Sequence, residues 1–212
     1  MWKLAGNTTS PVMFRETISP DEIGALELAS FPGEITVIDS PGADFDKAVR
    51  YLKRQSVIGF DTETRPTFSP DQKPFGTALL QLSGSGHAFL FRVHRLGLPR
   101  PLAAVLANSR IKKIGAAVTD DIRGLQKIAG FQPAGFVDLQ KIVGDYGIKD
   151  KGVKKMTAII LGFKISKAQQ LSNWEAESLS PSQQKYAATD AWVCREMYKK
   201  LIESEKVTPL DG

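Results

Sequence analysis

The amino-acid sequence predicts an α/β protein whose mixed β-sheet is flanked by α-helices. Short apolar runs typical of buried strands occur at residues 57–60, 77–82, 87–91 and 111–115, and segments with helical periodicity precede and follow them. Turn-forming residues at 83–86 join the second and third runs and predict an antiparallel hairpin. A hairpin followed by alternating helices and strands indicates a sheet with both parallel and antiparallel strands.

The first 40 residues are predicted to form an accessory segment with one helix and one short strand. Residues 19–22 read Ser-Pro-Asp-Glu, which combines a serine cap, a proline at the first helical position and a glutamate three residues after the cap. We expect this helix to end near Phe31 and a strand to follow at residues 35–38.

The main domain is predicted to span residues 41–206, with a short tail at residues 207–212. Its first helix, at residues 44–55, carries one apolar face formed by Phe45, Ala48, Val49 and Leu52. Further helices are expected at residues 102–107, 120–129 and 181–203, and the chain beyond residue 139 is expected to be helical apart from a loop at residues 164–172.

The composition fits an ordinary globular protein and excludes several other classes. Of the 212 residues, 42% are hydrophobic and 24% are charged, which excludes wholesale disorder. A single cysteine cannot form an internal disulfide, and no Cys/His group has the spacing of a zinc site. No window reaches the roughly 18 apolar residues that a membrane span needs, so we expect a soluble, cytoplasmic protein without a membrane partner. The net charge of +5 suits a polyanionic partner such as nucleic acid, but many proteins with other partners are equally basic.

Two acidic residues, Asp61 and Glu63, stand at the end of the apolar run 57–60. Because they are two positions apart on a strand, their side chains leave the same face of the sheet. Neighbouring carboxylates repel each other and resist burial, and a hard divalent cation that prefers oxygen ligands relieves both effects. A D-x-E tripeptide arises by chance about once in a chain of this size, so the tripeptide alone is weak evidence for a metal site. Its position directly after a buried strand strengthens that interpretation.

A second candidate pair, Tyr186 and Asp190, lies in the last predicted helix. The two residues are four positions apart and therefore lie on one face of the helix, one turn apart. Ala187, Ala188 and Ala191 around them are small, which allows something to approach the helix closely. The spacing alone is more typical of a core tyrosine followed by a solvated surface acid.

A third candidate is one of two adjacent aspartates, Asp120 and Asp121, at a strand-to-helix junction. Asp121 shares a helix face with Leu125 and Ile128, which is the side that packs on the sheet. Asp120 shares a face with solvent-facing residues. Asp121 is therefore the functional candidate, and Asp120 is expected to have a structural role such as a cap.

In this order and spacing, these segments resemble the DEDD superfamily of 3′–5′ exonucleases, in its tyrosine-bearing branch. The matching stretches are GFDTET (59–64), TALLQL (77–82), KKIGAAVTDDIRGL (112–125) and LSNWEAESLSPSQQKYAATDA (171–191). The likeness is greatest to the exonuclease domain of the Werner helicase and more distant to ribonuclease D. It covers residues 44–203, and residues 1–40 have no counterpart in it.

The resemblance implies a ribonuclease H-like fold and a nuclease that uses two divalent cations, Mg²⁺ or Mn²⁺. Asp61, Glu63 and Asp190 would hold one cation. Asp61 would also bridge to the second cation, which Asp121 would support from further away, and Tyr186 would orient the attacking water. The implied reaction is hydrolysis of the phosphodiester bond at a free 3′ end of DNA or RNA, with release of 5′-mononucleotides.

The sequence departs from the resemblance at Ala116 and Ala117, a stretch in which many relatives place glycine, histidine or asparagine. If that stretch normally donates a hydrogen bond, the support around Asp121 is weaker here. The acidic and tyrosine positions are nevertheless all intact, which favours an active enzyme.

Four further residues are candidates for contacts to nucleic acid. Lys154 and Lys155 belong to a basic stretch that either tracks a phosphate backbone or forms the wet face of a helix. Trp174 either stacks on a terminal base or, more commonly for a tryptophan before a helix, anchors the core. Arg65 follows the first motif, where a loop would border the active site.

Three function classes stay open at this point. They are a metal-dependent 3′–5′ exonuclease, a catalytically silent nucleic-acid-binding module with the same fold, and a phosphodiesterase that acts on a small nucleotide. The intact acidic positions count against the silent module, and the basic net charge favours a polymer over a small nucleotide.

Overall fold

A six-stranded mixed sheet forms the centre of the molecule, with helices on both faces. The computed structural model describes residues 13–67 and 75–207, so residues 1–12 and the predicted tail from residue 208 lie outside the described ranges. In chain order the elements are α1 (Pro20–Ala25), β1 (Glu34–Ile38), α2 (Ala43–Lys53), β2 (Val57–Thr64), β3 (Thr77–Ser83), β4 (His87–Phe91), α3 (Val93–Leu96), α4 (Arg100–Leu106), β5 (Lys112–Gly115), α5 (Val118–Ile128), β6 (Phe136–Asp138), α6 (Leu139–Ile142), α7 (Val153–Leu161) and α8 (Pro181–Ile202). The predicted α/β class with a mixed sheet is confirmed. Within the described ranges, no helix combines the length and apolar character that crossing a bilayer requires.

The strand order across the sheet is β1-β4-β3-β2-β5-β6. The predicted hairpin of β3 and β4 is antiparallel, and β2 also pairs antiparallel with β3. The pairs β1–β4, β2–β5 and β5–β6 are parallel. β6 was not predicted because it has only three residues and none of them is fully buried, so it leaves no apolar run in the sequence.

Two helical layers cover the sheet. α2, α4 and α5 contribute to the hydrophobic core on one face, and α7 and α8 contribute to the core on the other. The apolar face predicted for α2 is the one that is buried, with Leu52 and Ala48 fully shielded from solvent. Each strand of the central β2–β3 pair therefore has an apolar layer on both sides, which explains why β3 is buried along its whole length.

The N-terminal segment contributes a strand to this sheet. β1 pairs in parallel register with β4 along its whole length, from Glu34 opposite His87 to Ile38 opposite Phe91. The strand that the sequence analysis assigned to an accessory segment is thus one edge of the main sheet. The domain boundary expected after residue 40 therefore separates β1 from the sheet to which it belongs.

The first helix is shorter than the sequence predicts. It begins with the predicted capping box at Ser19 but ends at Ala25 and not near Phe31. Beyond it the backbone is extended, and Ala29 donates a hydrogen bond to the carbonyl of Lys164 at 2.9 Å. This partner lies far away in the sequence, and local periodicity therefore cannot reveal where the helix stops.

α8 lies directly against β2 because small residues face each other. A Cβ atom added to Gly59 would lie 1.8 Å from the carbonyl oxygen of Ala191. Ala187 and Ala188 on the same helix are also fully buried. The small residues of α8 predicted that something lies close to this helix, and the structure shows that it is the central strand β2. This contact brings Asp190 on α8 to the end of β2.

We therefore expect Gly59→Ala to destabilise the protein. Neither backbone can withdraw from the added methyl group, and overpacking a core of this kind costs about 1–3 kcal/mol, occasionally more. Urea denaturation followed by circular dichroism measures the change. Gly144→Ala is the matched control, because no atom lies within 4 Å of a Cβ added there. Equal stability of the two variants would contradict the close contact.

Candidate active site

Three carboxylates converge where β2 ends against α8. Asp61 and Glu63 leave one face of β2, as their spacing predicts, and Asp190 meets them from α8. One carboxylate oxygen of each residue lies within 4.8 Å of the other two, and all three side chains are partly buried. A donor set that consists only of carboxylate oxygens suits a hard divalent cation such as Mg²⁺ or Mn²⁺.

Burial raises the pKa of all three carboxyl groups, and the charges of neighbouring acids raise those of Asp61 and Glu63 further. Desolvation is the largest cause in each case. It raises the pKa of Asp61 well above its ordinary value, with the charges of Asp190 and Glu63 adding to the effect. The pKa of Glu63 rises to about 8, and that of Asp190 rises to about 7 even though a hydrogen bond with Tyr186 lowers it. Without a cation, the cluster therefore retains protons near neutral pH.

Tyr186 lies one turn before Asp190 on α8 and is partly buried. Burial, followed by the charges of Asp190 and Glu63, raises the pKa of its hydroxyl above the ordinary value. The hydroxyl consequently stays protonated at neutral pH and can donate a hydrogen bond beside the acids. The spacing argument left open a core tyrosine with a solvated acid, but here both side chains border the same cavity.

This cavity, of about 400 Å³, opens beside Asp61, Tyr186 and Asp190. Its opposite wall is formed by the beginning of α7 and by residues 165–167 and 170. The sequence predicts only a loop at residues 164–172 and does not place it beside the acids, because loop residues give no periodic signal from which their position can be inferred.

The two candidate lysines on α7 have different surroundings. Lys154 lines the cavity, and its pKa is lowered by burial and by nearby Lys167, while Asp190 opposes the shift. Lys155 borders the same cavity but forms an ion pair with Asp150, with Nζ and Oδ1 2.8 Å apart. Lys154 and Lys167 therefore supply the positive charge nearest to the acids on this wall.

The other two candidates for nucleic-acid contacts, Arg65 and Trp174, do not line this cavity. The guanidinium of Arg65 stacks 4.5 Å above the ring of Phe75 and lies 3.5 Å from a carboxylate oxygen of Glu175. Trp174 is fully buried among apolar side chains. The base-stacking hypothesis for Trp174 is wrong, because its ring has no exposed surface on which a base can stack, and its role is the alternative one of core anchor.

Asp121 approaches β2 from the face opposite to the three acids. Its carboxylate accepts a hydrogen bond from the Thr62 hydroxyl at 2.5 Å. Because Thr62 lies between Asp61 and Glu63 on the strand, its side chain points to the other face. Asp121 does not belong to the group of oxygens within 4.8 Å, but its charge raises the pKa of both Asp61 and Glu63. It is a close neighbour of the cluster.

Asp120 points away from the site, as helical phase predicts. Its side chain is 90% exposed and forms an ion pair with Arg123 at 3.1 Å. It does not cap α5, because the capping residue is Ala117 and no side chain makes the capping hydrogen bond.

Ala117 has an unusual backbone conformation at the start of α5. Its φ of 57° and ψ of 37° are left-handed, and within the described ranges no other residue except glycine has a positive φ. This conformation costs an alanine about 1–2 kcal/mol, whereas glycine and asparagine adopt it readily. The Ala117 N–H donates to Asp138 at 2.9 Å, and Asp138 also accepts from the N–H of Gln140. Asp138, which the sequence did not single out, thus supports the backbone next to Asp121.

The raised pKa values predict that the metal-free protein loses stability as the pH rises. A carboxyl group whose pKa is higher in the folded state stabilises the fold fully below its unfolded pKa, and this contribution is lost as the pH rises through the folded pKa. For Glu63 the window runs from its ordinary value of 4.5 to about 8. In EDTA, the melting temperature should fall across this window, and Mg²⁺ or Mn²⁺ should restore it most at the alkaline end.

Glu63→Gln is the control for this pH dependence. It removes one titrating group while it keeps the side-chain shape, so the melting temperature in EDTA should fall less steeply than that of the wild type. Identical pH profiles for the two proteins would show that Glu63 is not the group that titrates.

Comparison with curated proteins identifies relatives of this chain. A family model described as 3′–5′ exonuclease matches residues 38–204. The Drosophila melanogaster exonuclease 3′–5′ domain-containing protein 2 is 36% identical over 149 residues, which cover 68% of this chain and 25% of that protein. The mouse bifunctional 3′–5′ exonuclease/ATP-dependent helicase WRN is 27% identical over 204 residues, which cover 92% of this chain and 14% of that protein. The chain spans about a quarter of the length of the curated relatives that it matches first.

Solved structures share the fold. The EXO domain of Aedes aegypti Nibbler superposes with a TM-score of 0.73 at 23% identity, covering 82% of this chain and 91% of that domain. Trypanosoma brucei RNase D in complex with RNA U12 gives a TM-score of 0.72 at 20% identity, covering 82% and 64%. These likenesses confirm the ribonuclease H-like fold that the resemblance implied. With the family match over residues 38–204, they lead to one conclusion: the chain belongs to the 3′–5′ exonuclease family.

Proposed function

We propose that this chain is a metal-dependent exonuclease that hydrolyses the phosphodiester bond at the free 3′ end of DNA or RNA and releases 5′-mononucleotides. The observation that carries the proposal is the convergence of Asp61, Glu63 and Asp190 next to a cavity that Asp61, Asp190 and Tyr186 line. Membership of the 3′–5′ exonuclease family supports the same reaction.

The acidic cluster suits two divalent cations, Mg²⁺ or Mn²⁺. It offers only oxygen donors, and the pKa of Asp190 stays raised even though the charge of Lys154 lowers it, which indicates that this lysine does not compensate for the burial of the acids. The charges of Asp190, Glu63 and Asp121 all raise the pKa of Asp61, so Asp61 lies near every other acid of the site and would help to hold both ions. When bound, the ions would supply electrostatic stabilisation of the attacking and leaving oxygens and a lower pKa for water.

Tyr186 would orient the attacking water. Its hydroxyl stays protonated and shares a hydrogen bond with Asp190, which leaves the oxygen lone pairs free to accept a hydrogen bond from water. The histidines are engaged elsewhere: His87 stacks on Phe89 and His94 contacts the Ala78 carbonyl. No histidine base is therefore assigned.

Lys154 and Lys167 would receive the phosphate. A phosphate that enters the cavity meets the carboxylates of Asp61 and Asp190, and Lys154 and Lys167, which also line the cavity, offset part of the repulsion. Thr62 and Asp121 would act indirectly, because their hydrogen bond holds the end of β2 on the face away from the cavity.

Two observations favour a nucleic-acid polymer as the substrate over a small nucleotide ester. The net charge of the chain is +5, which suits a partner with many phosphates. A structural relative, Trypanosoma brucei RNase D, is described in complex with RNA. Arg65 is exposed and does not line the cavity, and it is a candidate for contacts to nucleotides further along the nucleic-acid strand.

The test is a time course on 5′-labelled single-stranded DNA, duplex DNA and RNA oligonucleotides with Mg²⁺, Mn²⁺ or EDTA. We expect a ladder that shortens from the 3′ end, disappears in EDTA and returns with either ion. Cleavage of a circular single strand or full activity in EDTA would overturn the proposal. Binding without hydrolysis would indicate the silent module, and hydrolysis of small esters alone would indicate the phosphodiesterase.

Substitutions should separate the acids from the tyrosine. Asp61→Ala and Asp190→Ala remove cation ligands, so kcat should fall by several orders of magnitude. Tyr186→Phe deletes one hydrogen bond worth roughly 1–3 kcal/mol, so kcat should fall about ten- to a hundredfold while cation affinity stays near wild type.

A second pair of substitutions tests the choice between the two adjacent aspartates. Asp121→Ala should reduce kcat and Asp120→Ala should not. The reverse order for these two aspartates would refute the assignment of Asp121.

A further inference from the structure

Gln81 in the middle of β3 is fully buried, yet its amide is not hydrogen-bonded. Neither Oε1 nor Nε2 has a partner within residues 13–67 and 75–207. A buried polar group without a partner costs about 1–3 kcal/mol, whereas Leu79, two positions earlier on the same face of β3, is fully buried and shows that this face accommodates apolar residues. Packing alone therefore does not account for an amide at this position.

The strand register places Gln81 beside the acidic cluster. β2 and β3 are antiparallel, and Gln81 lies directly opposite Asp61. Directly opposite residues of an antiparallel pair share a face of the sheet, with Cβ atoms about 4.5–5.5 Å apart. The Asp61 carboxylate is therefore within reach of the Gln81 amide after rotation about side-chain bonds.

Several other residues packed on this face offer no free polar side-chain atom to the Gln81 amide. On β4 the residue opposite is Leu90, which is apolar. α8 covers this face with Ala187 and Ala188, which have no polar side-chain atoms. The Thr189 hydroxyl already donates to the Lys185 carbonyl and accepts from the Phe31 N–H.

We propose that Gln81 is a positioning residue for Asp61, to which its Nε2 donates a hydrogen bond when that carboxylate holds a cation. The inference rests on the proposed function, because it requires Asp61 to be a ligand. A carboxylate that binds metal keeps lone pairs that point toward the protein, and a donor there fixes its orientation. Gln81 would act through Asp61 and would not touch the substrate.

The principal test is Gln81→Met, which retains the length of the side chain and removes both polar atoms. Loss of such a supporting contact typically lowers metal affinity or activity about 10- to 100-fold. We expect a fall of this size in kcat, a higher Mg²⁺ or Mn²⁺ midpoint and an unchanged KM for the oligonucleotide. The melting temperature in EDTA should stay equal or rise, because an unpaired buried amide has been removed.

Leu90→Met is the matched control, since Leu90 is equally buried and lies on the far side of Gln81 from Asp61. It should leave kcat and the cation midpoint near wild type. If Gln81→Met fails to fold, Gln81→Leu repeats the test with the residue that β3 already carries on the same face at Leu79. A wild-type kcat and cation midpoint in the Gln81 variant would overturn the proposal, as would a loss of activity that accompanies a lower melting temperature in EDTA.

Cation titrations without substrate keep this test separate from that of the proposed function. Mg²⁺ or Mn²⁺ binding is followed by the rise in melting temperature, which needs no hydrolysis. If the wild type binds the ions but cleaves no nucleic acid, the proposed function fails. The midpoint difference between wild type and Gln81→Met then still decides whether Gln81 supports Asp61.

Discussion

The contact between α8 and β2 is the constraint on which the rest of the structure depends. Gly59 has no side chain, so the carbonyl of Ala191 rests against the strand backbone with no space between them. Two residues further along β2 stands Asp61, and one residue before Ala191 stands Asp190. The distance between the backbone positions that carry these carboxylates is therefore set by a contact between two backbones, which rotation of side chains cannot relax. The fold holds the acids together whether or not a cation is present.

The close spacing of these acids lowers the free energy of unfolding. Like charges in a partly buried site oppose folding, and the apolar layers on both faces of the sheet must outweigh them. The benefit is preorganisation, because cation binding does not have to draw the ligands together. The raised pKa of Glu63, the protonated hydroxyl of Tyr186 and the unpaired amide of Gln81 are all consequences of holding polar groups close together in a buried site.

The sequence predicts the parts of this structure that depend on local pattern. Strand alternation places Asp61 and Glu63 on one face, and helical phase distinguishes Asp121 from Asp120. Features that arise from distant contacts escape such reasoning: the end of α1 depends on Lys164, and β6 is too short for a periodic signal. The backbone conformation of Ala117 and the unpaired amide of Gln81 become visible only when the surrounding residues are placed.

β1 also determines how much of the chain the sheet needs. The family match starts at residue 38, which is the last residue of β1. A protein trimmed to that boundary would retain every acid of the site but would expose the backbone edge of β4. A long, flat, apolar edge strand pairs readily with other chains and is a common origin of aggregation. Insolubility of such a fragment would thus reflect the uncovered edge of β4 and would say nothing about its chemistry.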